Sequence, residues 1–188
     1  MRSSTPLAAR LYVLLPLGLA FACGSDGGDT STAGLPAPDE GTFSVLSYNV
    51  HGLPDLLTNT ARPGVERMTE ISPLLNAYDL IGLQEVFTVE NHDAVLAQTE
   101  HGFVETFNTP LNPDRAYGAG LEILASIGQH LESESLFYGT CYGTLDGSGD
   151  CLASKGVQLV TFDLGDAPLT LINTHHEAGG GPEDEEAR

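Results

Sequence analysis

Basic residues are scarce in this chain: 7 Lys and Arg stand against 26 Asp and Glu, a formal net charge of −19 over 188 residues. Such a surface repels polyphosphate, so binding of nucleic acid through protein charge alone is disfavoured. Long apolar runs are missing as well. The run at 11–22 falls short of the roughly 20 residues that a membrane-spanning helix needs. Because Arg2 and Arg10 precede it, it reads as the core of a secretory leader over 1–22. Cysteine is limited to three, at spacings that match no zinc knuckle.

The three cysteines divide by position. Cys23 directly follows Ala20-Phe-Ala22, and two readings stay open there. The small-x-small pattern fits ordinary signal cleavage and simple secretion. A Cys at this point also resembles a bacterial lipoprotein site, where Cys23 would be lipidated and held at the cell envelope, although Phe21 departs from the usual pattern. The Gly-, Ser-, Asp- and Thr-rich stretch after it reads as a flexible tether over 23–41. Cys141 and Cys151 remain as a pair flanking a Gly- and Asp-rich turn. Outside the cytoplasm they can form a disulfide, and the alternative is two free thiols.

From 42 to 188 the chain has the length and apolar content (41% hydrophobic) of one globular domain. Strand character appears at 42–50, 80–85, 103–107, 120–125, 156–164 and 169–174. Pro63 can open a helix running to 77, with Val65, Met68, Ile71, Leu74 and Leu75 at helical spacing and Pro73 as an expected kink or break. A second helix is expected at 92–100. Asp163-Leu-Gly-Asp-Ala-Pro168 is a turn that makes the last two strands a hairpin. The order is mixed α/β with antiparallel pairing late in the chain.

One carboxylate stands out. Glu85 lies in the apolar run Asp79-Leu-Ile-Gly-Leu-Gln-Glu-Val-Phe87, which reads as a strand buried on both faces. Such a charge is unfavourable by several kcal/mol, roughly, unless a cation or several donors meet it. With so few Lys and Arg available, a hard metal ion is the better partner. Other polar groups also close strands: Ser47-Tyr-Asn-Val-His-Gly52 the first, and Asn173-Thr-His-His176 the last. Strand ends can converge on one rim and build a site there. Singly, Asn49 also fits a turn former and a strand-end His a structural role.

Together these segments carry a resemblance. Ser47-Tyr-Asn-Val-His-Gly-Leu53, Asp79 to Phe87, Gly120-Leu-Glu-Ile-Leu-Ala-Ser126 and Asn173-Thr-His175, in that order, resemble the endonuclease/exonuclease/phosphatase superfamily. Asp150-Cys-Leu-Ala-Ser-Lys-Gly156, the Glu-Val-Phe ending at Phe87, and Ala178 after the His pair are similar to the neutral sphingomyelinase branch. The resemblance implies an α/β fold: a two-sheet sandwich flanked by helices, four-layered and deoxyribonuclease-like, with only its N-terminal half present. It implies a Mg2+-dependent phosphodiesterase (Mn2+ or another divalent ion being the alternative) that hydrolyses a phospholipid headgroup bond. Glu85 would ligate the metal, with Asn49 as ligand or orienting group. His175 would donate to a phosphoryl oxygen, and Asp150 and Lys155 would serve activation and substrate positioning; Lys155 as a solvated loop charge is the alternative. His176 would point away from His175 if the strand continues.

The chain also departs from the family pattern. His176 stands where an apolar residue is usual, Ile127 where Arg is usual, and Glu122 is unusual in its strand. The family's later Asp-x-Asn and Asp-His motifs do not follow Arg188. No residue is offered as general base, His51 being a forced substitute, and a fragment of this kind is expected to be inactive alone. Two other functions fit the same residues: a secreted metal-dependent nuclease of the superfamily, and a non-catalytic surface lipoprotein.

Overall fold

The computed structural model describes residues 11–12, 41–58, 60–111, 113–144, 149–165, 167–179 and 181–187. Strands β2 (Ser44–Gly52) and β3 (Leu80–Val86) run parallel and are joined by helix α1 (Gly64–Leu75), as a parallel pair requires a crossover. Helix α2 (Val89–Leu96) follows, then strands β4 (Phe103–Phe107) and β5 (Leu121–Ala125), which pair antiparallel and place β5 beside β3. A two-residue strand β1 (Leu11–Tyr12) pairs antiparallel with the start of β2, giving the order β1-β2-β3-β5-β4. The second sheet is an antiparallel meander of β6 (Gln129–Phe137), β7 (Gly156–Asp163) and β8 (Pro168–His175), followed by the short helix α3 (Pro182–Ala187).

Alternation along β3 sorts its side chains between two cores. Ile81 and Leu83 pack under α1 and α2 with Leu46, Val50, Met68 and Val95. Leu80 faces the second sheet with Phe43, Ile123, Val160 and Phe162. The described residues thus supply a helix layer and two sheets of the expected four-layer sandwich. Polar residues link the sheets as well. Asn173 of β8 accepts from Gln84 Nε2 at 2.7 Å and donates to the carbonyls of Leu83 and Glu122 at 2.8 and 3.1 Å. Its oxygen would lie 3.0 Å from a Cβ at Gly82, so the glycine is what lets the two sheets approach here.

Several expectations hold with shifted bounds, and others fail. The hairpin turn forms, with Gly165 N donating to Asp163 Oδ1 at 2.8 Å. Pro73 sits inside α1 and the helix continues past it to Leu75. Helix α2 begins three residues before the expected start because the Thr88 side chain caps Asn91 N. It stops at Leu96, and the chain beyond it is tied to α1: Gln98 N donates to Ser72 Oγ and Glu100 N to Asn76 Oδ1. Strand β6 was not anticipated, since Gln-His-Leu-Glu-Ser-Glu-Ser-Leu-Phe has no apolar alternation and nearly all of it is exposed. It is an edge strand held by its pairing with β7, with Glu132 and Glu134 discouraging a further partner. Cys141 and Cys151 form a disulfide with 5.3 Å between their Cα atoms. Cys23 and nearly all of the leader and tether lie outside the described residues. Among the described residues no helix is long and apolar enough to cross a membrane.

Candidate active site

The ends of β2, β3 and β8 converge. Asn49 Nδ2 donates to Glu85 Oε1 at 2.8 Å, and His175 Nε2 lies 3.5 Å from the same oxygen. His51 Nδ1 approaches Glu85 Oε2 at 3.6 Å. Continued alternation would have put Glu85 with Ile81 and Leu83 under the helices. A left-handed φ of 65° at Glu85 interrupts it, and the carboxylate faces Asn49 and His175 instead. It is therefore partly accessible rather than enclosed on both faces. His51 is the second non-glycine residue with positive φ, at 53°, and it sits where the β2–β3 register shifts between Asn49 and Gly52. Strained backbone at both strand ends persists only when neighbours fix it. Arg67 of α1 supplies part of that restraint, donating to the carbonyls of Val50 and His51 at 3.0 and 2.8 Å. Nothing in the sequence singled out Arg67.

A second chain of contacts reaches His175 from behind. Lys155 Nζ lies 2.8 Å from Asp150 Oδ1 and 3.4 Å from His175 Nδ1, and it donates to the His176 carbonyl at 3.3 Å. Lys155 is 6% exposed, so it is not a solvated loop charge. As an ammonium group has only protons to offer, its approach to Nδ1 assigns the imidazole proton to Nε2, the atom facing Glu85. Burial, with the Lys155 charge second, pushes the His175 imidazole below its ordinary value, while Glu85 and Asp150 oppose the shift. The neutral ring is thereby favoured. Asp150 is held by Ala178 N, which donates to its Oδ2 at 2.7 Å. The exposed His176 ring turns elsewhere and stacks on Tyr138 at 5.4 Å.

Glu85, Asp150, Lys155 and His175 line an open cavity of about 370 Å3 whose apolar wall includes Phe87, Tyr117 and Leu152. Four of the five expected site residues thus share one cavity, and Asn49 stands behind Glu85. Its amide donates to that carboxylate while its oxygen accepts from His51 N at 2.8 Å, an orienting arrangement. Phe87 and Tyr117, 5.9 Å apart between ring centres, were not named as site residues, although Phe87 closes the quoted Glu-Val-Phe motif. Glu85 Oε2 is buried with no hydrogen-bond partner. A hard oxygen of this kind, carried on an oriented carboxylate at the rim of a cavity, fits a divalent cation. Glu122, unusual in its strand, is fully buried and is met by His92 of α2. The Glu122 hydrogen bond raises the His92 imidazole above its ordinary value.

Comparison with known proteins gives a consistent likeness. No protein-family model matches the chain. It is 28% identical over 151 residues to sphingomyelinases of Mycobacterium bovis and Mycobacterium tuberculosis, covering 76% of this chain and 28% of theirs. The chain therefore spans little more than a quarter of the curated relatives it matches. Among solved structures it superposes on sphingomyelinase C from Streptomyces griseocarneus with a TM-score of 0.55 at 18% identity, over 77% of this chain and 54% of that one. A doubly substituted mutant of beta toxin from Staphylococcus aureus with bound magnesium ions gives 0.58 at 16% identity, over 76% and 53%. The chain shares the two-sheet fold of these proteins.

Proposed function

We propose that this chain carries part of the active site of a metal-dependent phosphodiesterase of the sphingomyelinase type, cleaving the headgroup phosphodiester of a phospholipid. The observation that carries the reading is Glu85, its Oε2 without a hydrogen-bond partner, set between Asn49 and His175 at the rim of one cavity. Glu85, oriented by Asn49, would hold Mg2+, or Mn2+ in its place. Bound there, the ion supplies Lewis-acid polarisation of a phosphoryl oxygen and charge neutralisation at the leaving oxygen. His175, neutral and protonated on Nε2, donates a hydrogen bond to a phosphoryl oxygen as negative charge builds. Lys155 fixes that tautomer from the Nδ1 side, and Asp150 holds Lys155 in place. Phe87, Tyr117 and Leu152 line the apolar flank of the cavity.

The acidic surface favours a zwitterionic headgroup over a polyanionic strand. Export follows the same reading, with Cys23 acylated and the protein held at a membrane surface. Hydrolysis of sphingomyelin, glycerophospholipid and DNA should be compared with Mg2+ and with chelator, in the longest natural form of the chain. Release of phosphocholine from sphingomyelin that stops on chelation is expected. Cleavage of DNA without phospholipid hydrolysis would overturn the substrate assignment. Mass spectrometry of the mature N-terminus tests the lipidation: a lipid mass on Cys23 is expected, and an unmodified N-terminus means simple secretion.

A further inference from the structure

Three carboxylates gather away from Glu85. Asp150, Glu177 and Asp184 are all buried, and each offers one oxygen such that the three lie within 4.8 Å of one another. They come from the loop closed by the Cys141–Cys151 disulfide, the segment after β8 and helix α3. Several of their oxygens already have partners: Tyr142 N donates to Glu177, Ala178 N to Asp150 Oδ2 at 2.7 Å and Gly181 N to Asp184 at 2.9 Å. Lys155 Nζ lies 2.8 Å from Asp150 Oδ1 and would share that carboxylate with a bound ion. Glu177 is 5% exposed, and its Oε2 is buried with no hydrogen-bond partner.

We infer that Asp150, Glu177 and Asp184 form a second cation site, separate from Glu85, that takes a hard divalent ion of the Ca2+ class. Oxygen donors from three segments of backbone suit Ca2+, which accepts flexible ligand sets, better than Mg2+, which keeps near-ideal octahedral geometry and several waters. The ion would fasten the loop bearing Cys141 and Asp150 to the segment after His175. One wall of the candidate active site would then be set by metal and disulfide together. Gly179 lies against the cluster with a φ of 86°, and a Cβ there would come within 2.5 Å of Asp184 Oδ2. The inference does not depend on the chemistry proposed at Glu85.

Thermal melting of the chain with CaCl2, MgCl2 or chelator tests it, using wild type, Glu177→Gln and Glu85→Gln. Ca2+ at a hundredfold over its Kd is expected to raise Tm by about 5–10 °C in wild type. The same rise is expected in Glu85→Gln, with Mg2+ giving less and Glu177→Gln losing the response. A rise kept in Glu177→Gln, a rise abolished by Glu85→Gln, or no rise in wild type at about 10 mM Ca2+ would overturn the site. An equal response to Mg2+ and Ca2+ in Glu85→Gln, where the Glu85 site is removed, would overturn the choice of ion. Should Glu177→Gln fail to fold, Tb3+ luminescence sensitised by Tyr142 serves instead. Ca2+ should displace it in wild type, and Asp184→Asn should weaken it at least tenfold; unaltered luminescence in that variant rejects the site.

Discussion

Lys155 reaches His175 from the side opposite Glu85, with Nζ 3.4 Å from Nδ1 and the carboxylate 3.5 Å from Nε2. The imidazole is thereby held between a donor and an acceptor, and one tautomer satisfies both. If this placement serves catalysis, Lys155→Met should lower kcat by about 100-fold with KM little changed. The nitrogen-15 spectrum of His175 should then show Nδ1–H appearing. A variant that loses activity with the Nε2–H tautomer intact would refute the positioning role.

Glu85 should separate stability from activity. Glycine tolerates a left-handed φ, so Glu85→Gly relieves strain of roughly 1 kcal/mol, which offsets the added unfolded-chain entropy of glycine, and it removes a partly buried carboxylate. The variant should melt no lower than wild type, yet bind Mg2+ more weakly and lose activity by about 1000-fold. Isothermal titration with Mg2+ and a melting curve on one sample check both halves. A variant that retains Mg2+ affinity would remove Glu85 from the ligand set.

Asn173 joins the sheets through three hydrogen bonds. Asn173→Ala leaves Gln84 Nε2 and two carbonyls buried with fewer partners, a loss of about 2–3 kcal/mol. Urea unfolding at fixed m-value measures it, and a change under 1 kcal/mol, roughly, would mean that apolar packing alone holds the sheets together.

The His92–Glu122 pair sets a pH dependence. The folded-state imidazole lies above its ordinary value, so the native state binds more protons than the unfolded chain in that interval. Its contribution is fully present below about pH 6.5 and is lost as pH rises through the elevated folded value. Wild type should therefore lose more Tm than His92→Gln between pH 6 and pH 9, roughly. Parallel pH profiles for the two proteins would exclude the pair as the cause.

The disulfide closes a loop across a sequence separation of 10. Chain entropy assigns it about 2.5–3 kcal/mol, so Cys141→Ala/Cys151→Ala should unfold at lower urea. Proteolysis in native conditions should then begin in the loop carrying Asp150. Unchanged cleavage sites would show that other contacts hold the loop.

Sequence made the strand-end groups legible because apolar runs stop where Asn49, Glu85 and His175 begin. The direction of Glu85 was not legible, since the sign of its φ is set by the closing of the β2 end against it, and Gly52 lies so near that a Cβ would sit 2.3 Å from Glu85 O. Strand β6 was hidden because one neighbour stabilises it while both of its faces meet water. The meeting of Glu177 with Asp150 and Asp184 was hidden too. Asp150 is remote from Glu177 and Asp184 in the chain, and they meet through tertiary contacts such as Ala178 N on Asp150 and Tyr142 N on Glu177. Glu122 looked like a defect in an apolar strand until His92, on another element, supplied its partner.

Asn173 stands two positions before His175, and Gln84 one before Glu85, so the amide bridge between the sheets sits immediately beneath the pair that faces the cavity. It acts as a gauge block: the gap between Glu85 and His175 is copied from the thickness of the layer below. Substitutions that swell or shrink the interior near Phe162 would then register as a changed Glu85–His175 spacing before they register as unfolding.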